Sequence, residues 1–211
     1  MPEKRKYELR KRAAQLDETR RRITEATVEL HRTVGPAATQ ISEIARRAGV
    51  QRVTVYNHFP DESSLLSACS AHWRALHPAP DPARWASTED PGAQRRLVLR
   101  DLYAWYRETA PMTANVLRDA TTIPALGAIV DRGLGAWLGR VRQILADSVG
   151  ARGAGRDRVD AATRAAVDLH FWHALAPLGD AEAAELGAAL IELAAGKPLT
   201  AGRTAKRASA R

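Results

Sequence analysis

Apolar positions along this chain recur at helical intervals, with no strand-like alternation of useful length. Ile23, Ala26, Thr27, Leu30 and Val34 form a stripe that ends at Gly35-Pro36. Ile41, Ile44, Ala45 and Ala48 form a second stripe at i, i+3, i+4 and i+7, with Glu43, Arg46 and Arg47 covering the opposite face. Gly49 stands where a helix can end with positive φ at no Cβ cost. Val50, Val53, Val55 or Tyr56, and Phe59 then restart the apolar pattern. Two short amphipathic helices joined by a turn containing Gly make a helix-turn-helix, here over residues 40–59. The pair is too small to fold alone, so its apolar face needs the helix that carries Ile23 and Leu30.

Upstream, residues 4–34 hold no Gly or Pro, and Leu9, Leu16, Ile23 and Leu30 recur every seven residues. This pattern permits one long helix from about Lys4. It equally permits a flexible basic arm before a helix that starts near Asp17 or Thr19. Thr39 or Gln40 is placed to cap the second helix, and Glu43 would complete a capping box if Gln40 is the cap. Asp61 reads as the cap of a fourth helix carrying Leu65, Leu66, Ala68, Cys69 and Trp73 to about His77. Pro78, Pro80 and Pro82 interrupt any helix and mark a linker, with short helical stretches expected in 83–87.

A second helical block follows. Leu99, Leu102, Tyr103 and Tyr106 line a helix over 91–109, and 112–120 reads as a shorter one. Leu126 to Ile144 reads as one long helix stopping near Gly150, followed by a Gly-rich loop at 150–155. One helix carries Val159 to His173, and a last one carries Leu186, Leu190 and Leu193. The expected fold class is therefore all-α. Its parts are a basic extension over 1–16, a small domain over 17–77 that includes the connecting helix 61–77, a helical domain over 83–196, and a basic tail, 197–211, expected to be disordered.

Charge sharpens this division. Residues 1–60 carry a net +6, residues 61–196 a net −3 and residues 197–211 a net +5. A basic front holding a helix-turn-helix, beside a mildly acidic body, points to a polyanionic partner for the front alone. No apolar run approaches the roughly 20 residues needed to span a bilayer. The charged N-terminus lacks a signal-peptide core, and the lone Cys69 excludes an internal disulfide framework. A cytoplasmic location is expected.

Residues 17–66 resemble the DNA-binding domain of the TetR/AcrR family of transcriptional regulators. The resemblance is carried by Ile23, Ala26, Leu30 and Gly35, by Ile44-Ala45 and Ala48-Gly49-Val50, by Thr54-Val55-Tyr56 and His58-Phe59, and by Leu65-Leu66. It implies a two-domain homodimer whose small front domains bind a near-palindromic operator in double-stranded DNA. The helical bodies would bind a small-molecule effector that releases the DNA, with repression as the favoured outcome. Carried onto this chain, the DNA-binding set is Thr39, Gln40, Gln51, Arg52, Val53, Thr54, Tyr56, Asn57 and His58. Arg52 suits guanine O6/N7 and Asn57 suits adenine N6/N7, while Tyr56 and His58 fall where the family uses phosphate contacts. Gln51 stands where the family often has a capping Ser, and Glu62 where a phosphate-binding Lys is frequent. Arg20, Arg21 and Arg22 or the N-terminal arm are the expected substitutes. His31 replaces a usual Phe, as a packed histidine at the edge of the core.

In the body, Tyr103, Tyr106, Met112, Asn115, Trp137, His170 and His173 are the candidate effector-binding residues, mixing aromatic surface with polar handles. Aromatics at helical spacing are also ordinary core. The pair His170 and His173 lacks a third local ligand, so neither a metal nor a cofactor is expected. The Ala-rich last two helices, with Ala161, Ala162, Ala165 and Ala166, then Ala183, Ala184, Gly187 and Ala188, are expected to pair across a two-fold axis. The alternative is packing within the chain. The helix 61–77 is the expected link from body to reading head. A rival reading as an enzyme finds no phosphate loop, nucleophile elbow or metal-ligand spacing. A rival reading as a membrane-surface module rests on the basic residues of 4–34.

Overall fold

The computed structural model describes residues 2–151 and 154–196. The expected tail at 197–211 and part of the loop at 150–155 lie outside the described residues. Every regular element among the described residues is helical, and none of these helices is long and apolar enough to cross a membrane. The chain divides into two compact units. One comprises residues up to 79 with 109–135, and the other comprises 80–108 with the residues from 136 onward.

The first unit holds α1 (Pro2–Thr33), α2 (Ile41–Ala48), α3 (Arg52–His58) and α4 (Glu62–Leu76). It also holds the distal part of α5 (Pro91–Asp119), together with α6 (Pro124–Val130) and a π-helical turn at Asp131–Gly135. Its core is mainly aliphatic: Ile23, Val28, Leu30, Ile44, Val55 and Leu65 pack with Phe59, Cys69 and Met112. Leu66, Leu126 and Ile129 form a smaller cluster. Of the two possibilities for the N-terminus, the long helix is the one observed, since α1 runs unbroken from Pro2.

The second unit holds a 3-10 turn at Pro82–Trp85, the proximal part of α5, and then α7 (Ala136–Asp147), α8 (Ala154–Ala166), α9 (Leu169–Leu175) and α10 (Asp180–Ala194). Its core is richer in aromatics. Trp85, Leu99, Leu102, Tyr103, Tyr106, Val141, Leu145, Val159 and Ile191 are all buried. Asp81 caps the 3-10 turn by accepting from the Ala83 amide at 2.9 Å. The turn buries Trp85, whose indole donates to Asp101 at 3.0 Å, so the proline-rich stretch is a built corner.

Several expected boundaries move. The two helices expected over 91–120 are one, because α5 continues through Pro111. An internal Pro removes one backbone hydrogen bond and crowds the preceding turn. Here Tyr103 and Tyr106 before it and Met112 and Thr113 after it are each buried, and packing outweighs that cost. The expected helix from Leu126 to Ile144 is interrupted by the π turn. The expected helix from Val159 to His173 breaks at Val167-Asp168, because the Asp168 side chain caps α9 by accepting from the His170 and Phe171 amides at 2.8 and 3.3 Å.

The division of the chain also differs from the expected one, since residues 109–135 join the head. The chain crosses between the units at 79/80, 108/109 and 135/136. Helix 61–77 is therefore one of several connections rather than the single one.

The alanines of the last helices behave differently from the expected dimer face. Ala162, Ala166, Ala183, Ala184, Gly187 and Ala188 are buried within the single chain. A Cβ on Gly187 would lie 2.8 Å from the Tyr103 hydroxyl and 3.0 Å from a Leu99 methyl. Small residues let α8, α10 and α5 approach one another closely, and that contact is intrachain.

Candidate nucleic-acid interface

The helix-turn-helix is built from its turn outward. α2 ends on Gly49 at φ 65°, ψ 40°, the left-handed region. There the Gly49 and Val50 amides donate to the Arg46 and Ala45 carbonyls at 3.3 and 2.9 Å. Arg22 of α1 reaches across and donates to the Ala48 carbonyl and, at 3.1 Å, to the Gly49 carbonyl. Arg20 donates to the His58 carbonyl at the end of α3 and lies 4.1 Å over the centre of the Phe59 ring. The free carbonyls at the ends of α2 and α3 are thus met by guanidinium groups from one helix. The third member of that run, Arg21, pairs with Glu18 and Glu25 at 2.6 Å each. Arg20 and Arg22, expected as substitutes for a phosphate-binding Lys, thus also hold the motif together through part of their donors.

α3 is seated by Val55 and Phe59, both essentially inaccessible. Its outer side carries Arg52 and Asn57, both exposed, with Val53 at 57% and Tyr56 at 48% exposure. Gln51 and Gln40 are exposed, while Thr39, Thr54 and His58 are half-buried. The nine residues expected at a DNA surface thus lie on α3 and at the start of α2, none of them in the core. Thr39 is partly committed, since its hydroxyl donates to the Gly35 carbonyl at 2.8 Å. Gln40 is the N-cap of α2 but makes no side-chain capping bond, and neither does Gln51 for α3. The expected capping box fails because Glu43 is engaged by Arg46 at 2.6 Å and Arg47 at 2.9 Å. Those hydrogen bonds pull its carboxyl down to about 2. Asp61 does cap α4, accepting from the Ser64 amide at 2.7 Å.

Sequence reasoning missed a second support of the head. Asn115 on α5 donates to the His31 and Arg32 carbonyls at 3.0 Å each. Asp119 accepts from the Ala37 amide at 2.9 Å. Gly35, at φ 94°, leaves the space these groups need, since a Cβ there would lie 2.7 Å from the Asp119 carboxylate. Hydrogen bonding to Arg118 holds the Asp119 carboxyl below its ordinary range, with the Ala37 amide adding to it. His31 is buried as expected, and burial pushes its pKa down to about 4 against the opposing pull of Asp119. Only the Gly35-Pro36 corner hinted at this contact in the sequence.

The seven candidate effector residues are not brought together. Met112 and Asn115 belong to the first unit, Met112 in its core and Asn115 at the end of α1. In the second unit, the Tyr103 and Tyr106 hydroxyls donate to the Ala166 and Val167 carbonyls at 2.8 and 2.7 Å. They close the C-terminal end of α8, and burial raises both phenols above their ordinary range. Trp137 donates to the Pro80 carbonyl at 3.1 Å. Its ring lies 5.4 Å from that of Trp105. His170 and His173 are exposed. Among the described residues, no group of His, Cys, Asp and Glu side chains is arranged to hold a metal ion. A cavity of about 280 Å3 between α7 and α8 is lined by Arg142, Gln143, Arg156, Asp160, Thr163 and Arg164 among others, and by none of the seven.

Residues 23–69 match the family model described as bacterial regulatory proteins, tetR family. The HTH-type transcriptional regulator SrpR of Pseudomonas putida is 42% identical over 62 residues, a stretch covering 29% of each chain. The match thus spans less than a third of that relative's length. A transcriptional regulator from Rhodococcus sp. Rha1 superposes with a TM-score of 0.56 at 20% identity, over 82% of this chain and 96% of that one. A putative fatty acid metabolism regulator from Clostridium perfringens gives 0.57 at 13% identity, over 84% and 99%. At these identities the solved structures show a shared fold.

Proposed function

We propose that this chain is a TetR-type, sequence-specific DNA-binding transcriptional regulator, a repressor released from its operator by a small molecule, and not an enzyme. The match of residues 23–69 to the tetR family model and the 42% identity to SrpR over 62 residues support this reading. The observation that carries this reading is the outer face of α3. Arg52, Val53, Tyr56 and Asn57 stand exposed on a helix whose inner residues, Val55 and Phe59, are buried. An α-helix of this kind fits the major groove, where Arg52 is placed to read guanine and Asn57 adenine. Gln40, Gln51, Thr54 and His58 flank it for backbone contacts. Recovering bound duplexes from random DNA tests the reading. A near-palindromic consensus supports it, and recovery without sequence preference rejects it.

The operator-bound form on this reading is a C2 homodimer joined through the last two helices. With the alanines turned inward, the outer side of α10 is the face left for a second copy. There Leu186 and Leu193 are 46% and 57% exposed. The effector belongs to the second unit, where the rings of Trp105, Tyr106, Trp137 and Trp172 form a contiguous aromatic group that it would have to open to enter. It can act only by binding the DNA-incompetent shape more tightly, so effector and operator must weaken each other by the same factor.

A further inference from the structure

Along the first half of α1, every side chain from 6 to 16 is exposed. Leu9 and Leu16 are each 59% exposed, although they continue the stripe that Ile23 and Leu30 bury in the head. Lys6, Arg10, Lys11 and Arg12 are exposed against a single acidic residue, Glu8, within 6–16. They form no ion pair among the described residues. This segment is helix continuous with the rest of α1, so its direction and rotation are fixed where Arg20 and Arg22 hold the ends of α3 and α2. At 100° per residue, Leu9, Ala13 and Leu16 project within about 40° of the Arg20 direction, and Lys6, Arg10 and Arg12 within about 80°. Arg20 marks the side of α1 that meets the end of α3. An apolar strip edged with cations therefore runs out from the reading head on that side. At 1.5 Å per residue, Lys6 lies roughly 21 Å beyond Arg20, the length of about six base pairs.

We infer that this helical extension is a rigid second DNA contact. It lays Lys6, Arg10 and Arg12 on phosphates flanking each operator half-site, and so adds affinity and salt dependence without adding sequence preference. The inference rests on the operator-binding reading above. DNA is favoured over other polyanionic partners because the extension is one continuous helix with the element that clamps α3. Phosphate contacts position a protein but carry no base information.

The test uses the full chain and the duplex recovered by selection, prepared bare and with ten arbitrary base pairs on each side. The slope of log K against log salt should be steeper on the flanked duplex, by up to about 2.7 per subunit for three phosphate contacts. Substituting Lys6→Gln, Arg10→Gln and Arg12→Gln together should erase that difference and leave the operator preference intact. Arg10→Lys with Arg12→Lys should retain it. Ala14→Pro keeps every charge but breaks the helix, so it should erase the difference if the extension acts as a rod. Circular dichroism confirms that each variant is folded. Equal slopes for the unmodified chain on both duplexes, with operator preference present, overturn the inference and leave the proposed function standing. A flank effect that survives Ala14→Pro overturns the rigid contact. Binding to vesicles of 30% phosphatidylserine that the triple substitution abolishes, without any flank effect, assigns the strip to a membrane surface and overturns the inference. Absence of operator preference in every arm rejects the proposed function itself, and the inference with it.

Discussion

The two units bury different kinds of interior. The head packs aliphatic side chains of helices close in sequence around Ile23, Leu30, Ile44 and Val55. Apart from His31 and Asp119, both buried, its charged groups stay near the surface, as in the Glu43 cluster. The body buries larger aromatics and ties their polar atoms to distant groups. Trp85 meets Asp101, Tyr103 and Tyr106 meet the end of α8, and Trp137 meets Pro80. Buried Arg95 reaches the Ser148 carbonyl and Glu192. An aliphatic core tolerates many packings of similar volume. A core of hydrogen-bonded aromatics specifies one arrangement, because each unmade bond leaves a desolvated group.

The sharpest break of that contrast is Trp85→Ala. It should destabilise the body by about 3–5 kcal/mol, read as a lower urea midpoint at unchanged m. Trp85→Phe keeps most of the ring and loses the bond to Asp101, so its cost should be clearly smaller. Equal costs would show that the indole donor, rather than the buried area, dominates.

Next comes a buried titratable group of the head. His31 is held neutral to about pH 4, whereas the unfolded chain protonates it near its ordinary 6.5. The unfolded state thus binds the extra proton between these values. Stability is full above pH 6.5 and falls as pH drops toward 4, by about 3 kcal/mol in total. His31→Phe should flatten that part of the profile. A variant whose acid sensitivity matches the unmodified chain would place the effect elsewhere.

The outer face of the head sharpens the contrast from the other side. Arg52→Ala should cost about 1–3 kcal/mol of operator binding and relax preference at one base pair per half-site, with folding stability unchanged. The smallest effect lies at the start of α3. Gln51→Ser supplies the capping oxygen that Gln51 does not, and should raise head stability by about 0.5–1 kcal/mol, measured by thermal unfolding.

The same contrast explains what the sequence disclosed. The turn at Gly49 and the spacing of Ile44, Ala45 and Ala48 are local signals, and the structure repeats them residue for residue. Asp61 as a cap and Val55 and Phe59 as buried supports were legible for the same reason. In the body, the signals lay far apart along the chain. Tyr103 and Tyr106 look like cavity walls until the end of α8, some sixty residues later, is seen to need their hydroxyls. Pro111 reads as a break because its neighbours' burial is invisible to periodicity. The alanines of α8 and α10 fit a dimer seam or an intrachain one equally well, and only the position of Gly187 against Tyr103 decides. The bonds from Arg20 and Arg22 to the ends of α3 and α2 were not legible, because a basic run beside a helix-turn-helix looks the same whether or not its donors also meet helix ends.

The Asn115 amide on the His31 and Arg32 carbonyls bears on how this protein can be recombined. The head is discontinuous in sequence: a piece cut after α4 would carry the whole recognition motif yet lack the groups that finish α1 and brace the Gly35 corner. A chimera that exchanges operator specificity with a relative by swapping only the first 79 residues would pair a foreign α1 with this chain's Asn115 and Asp119. The smallest interchangeable cassette therefore has two segments, and residues 109–135 must travel with the N-terminal one.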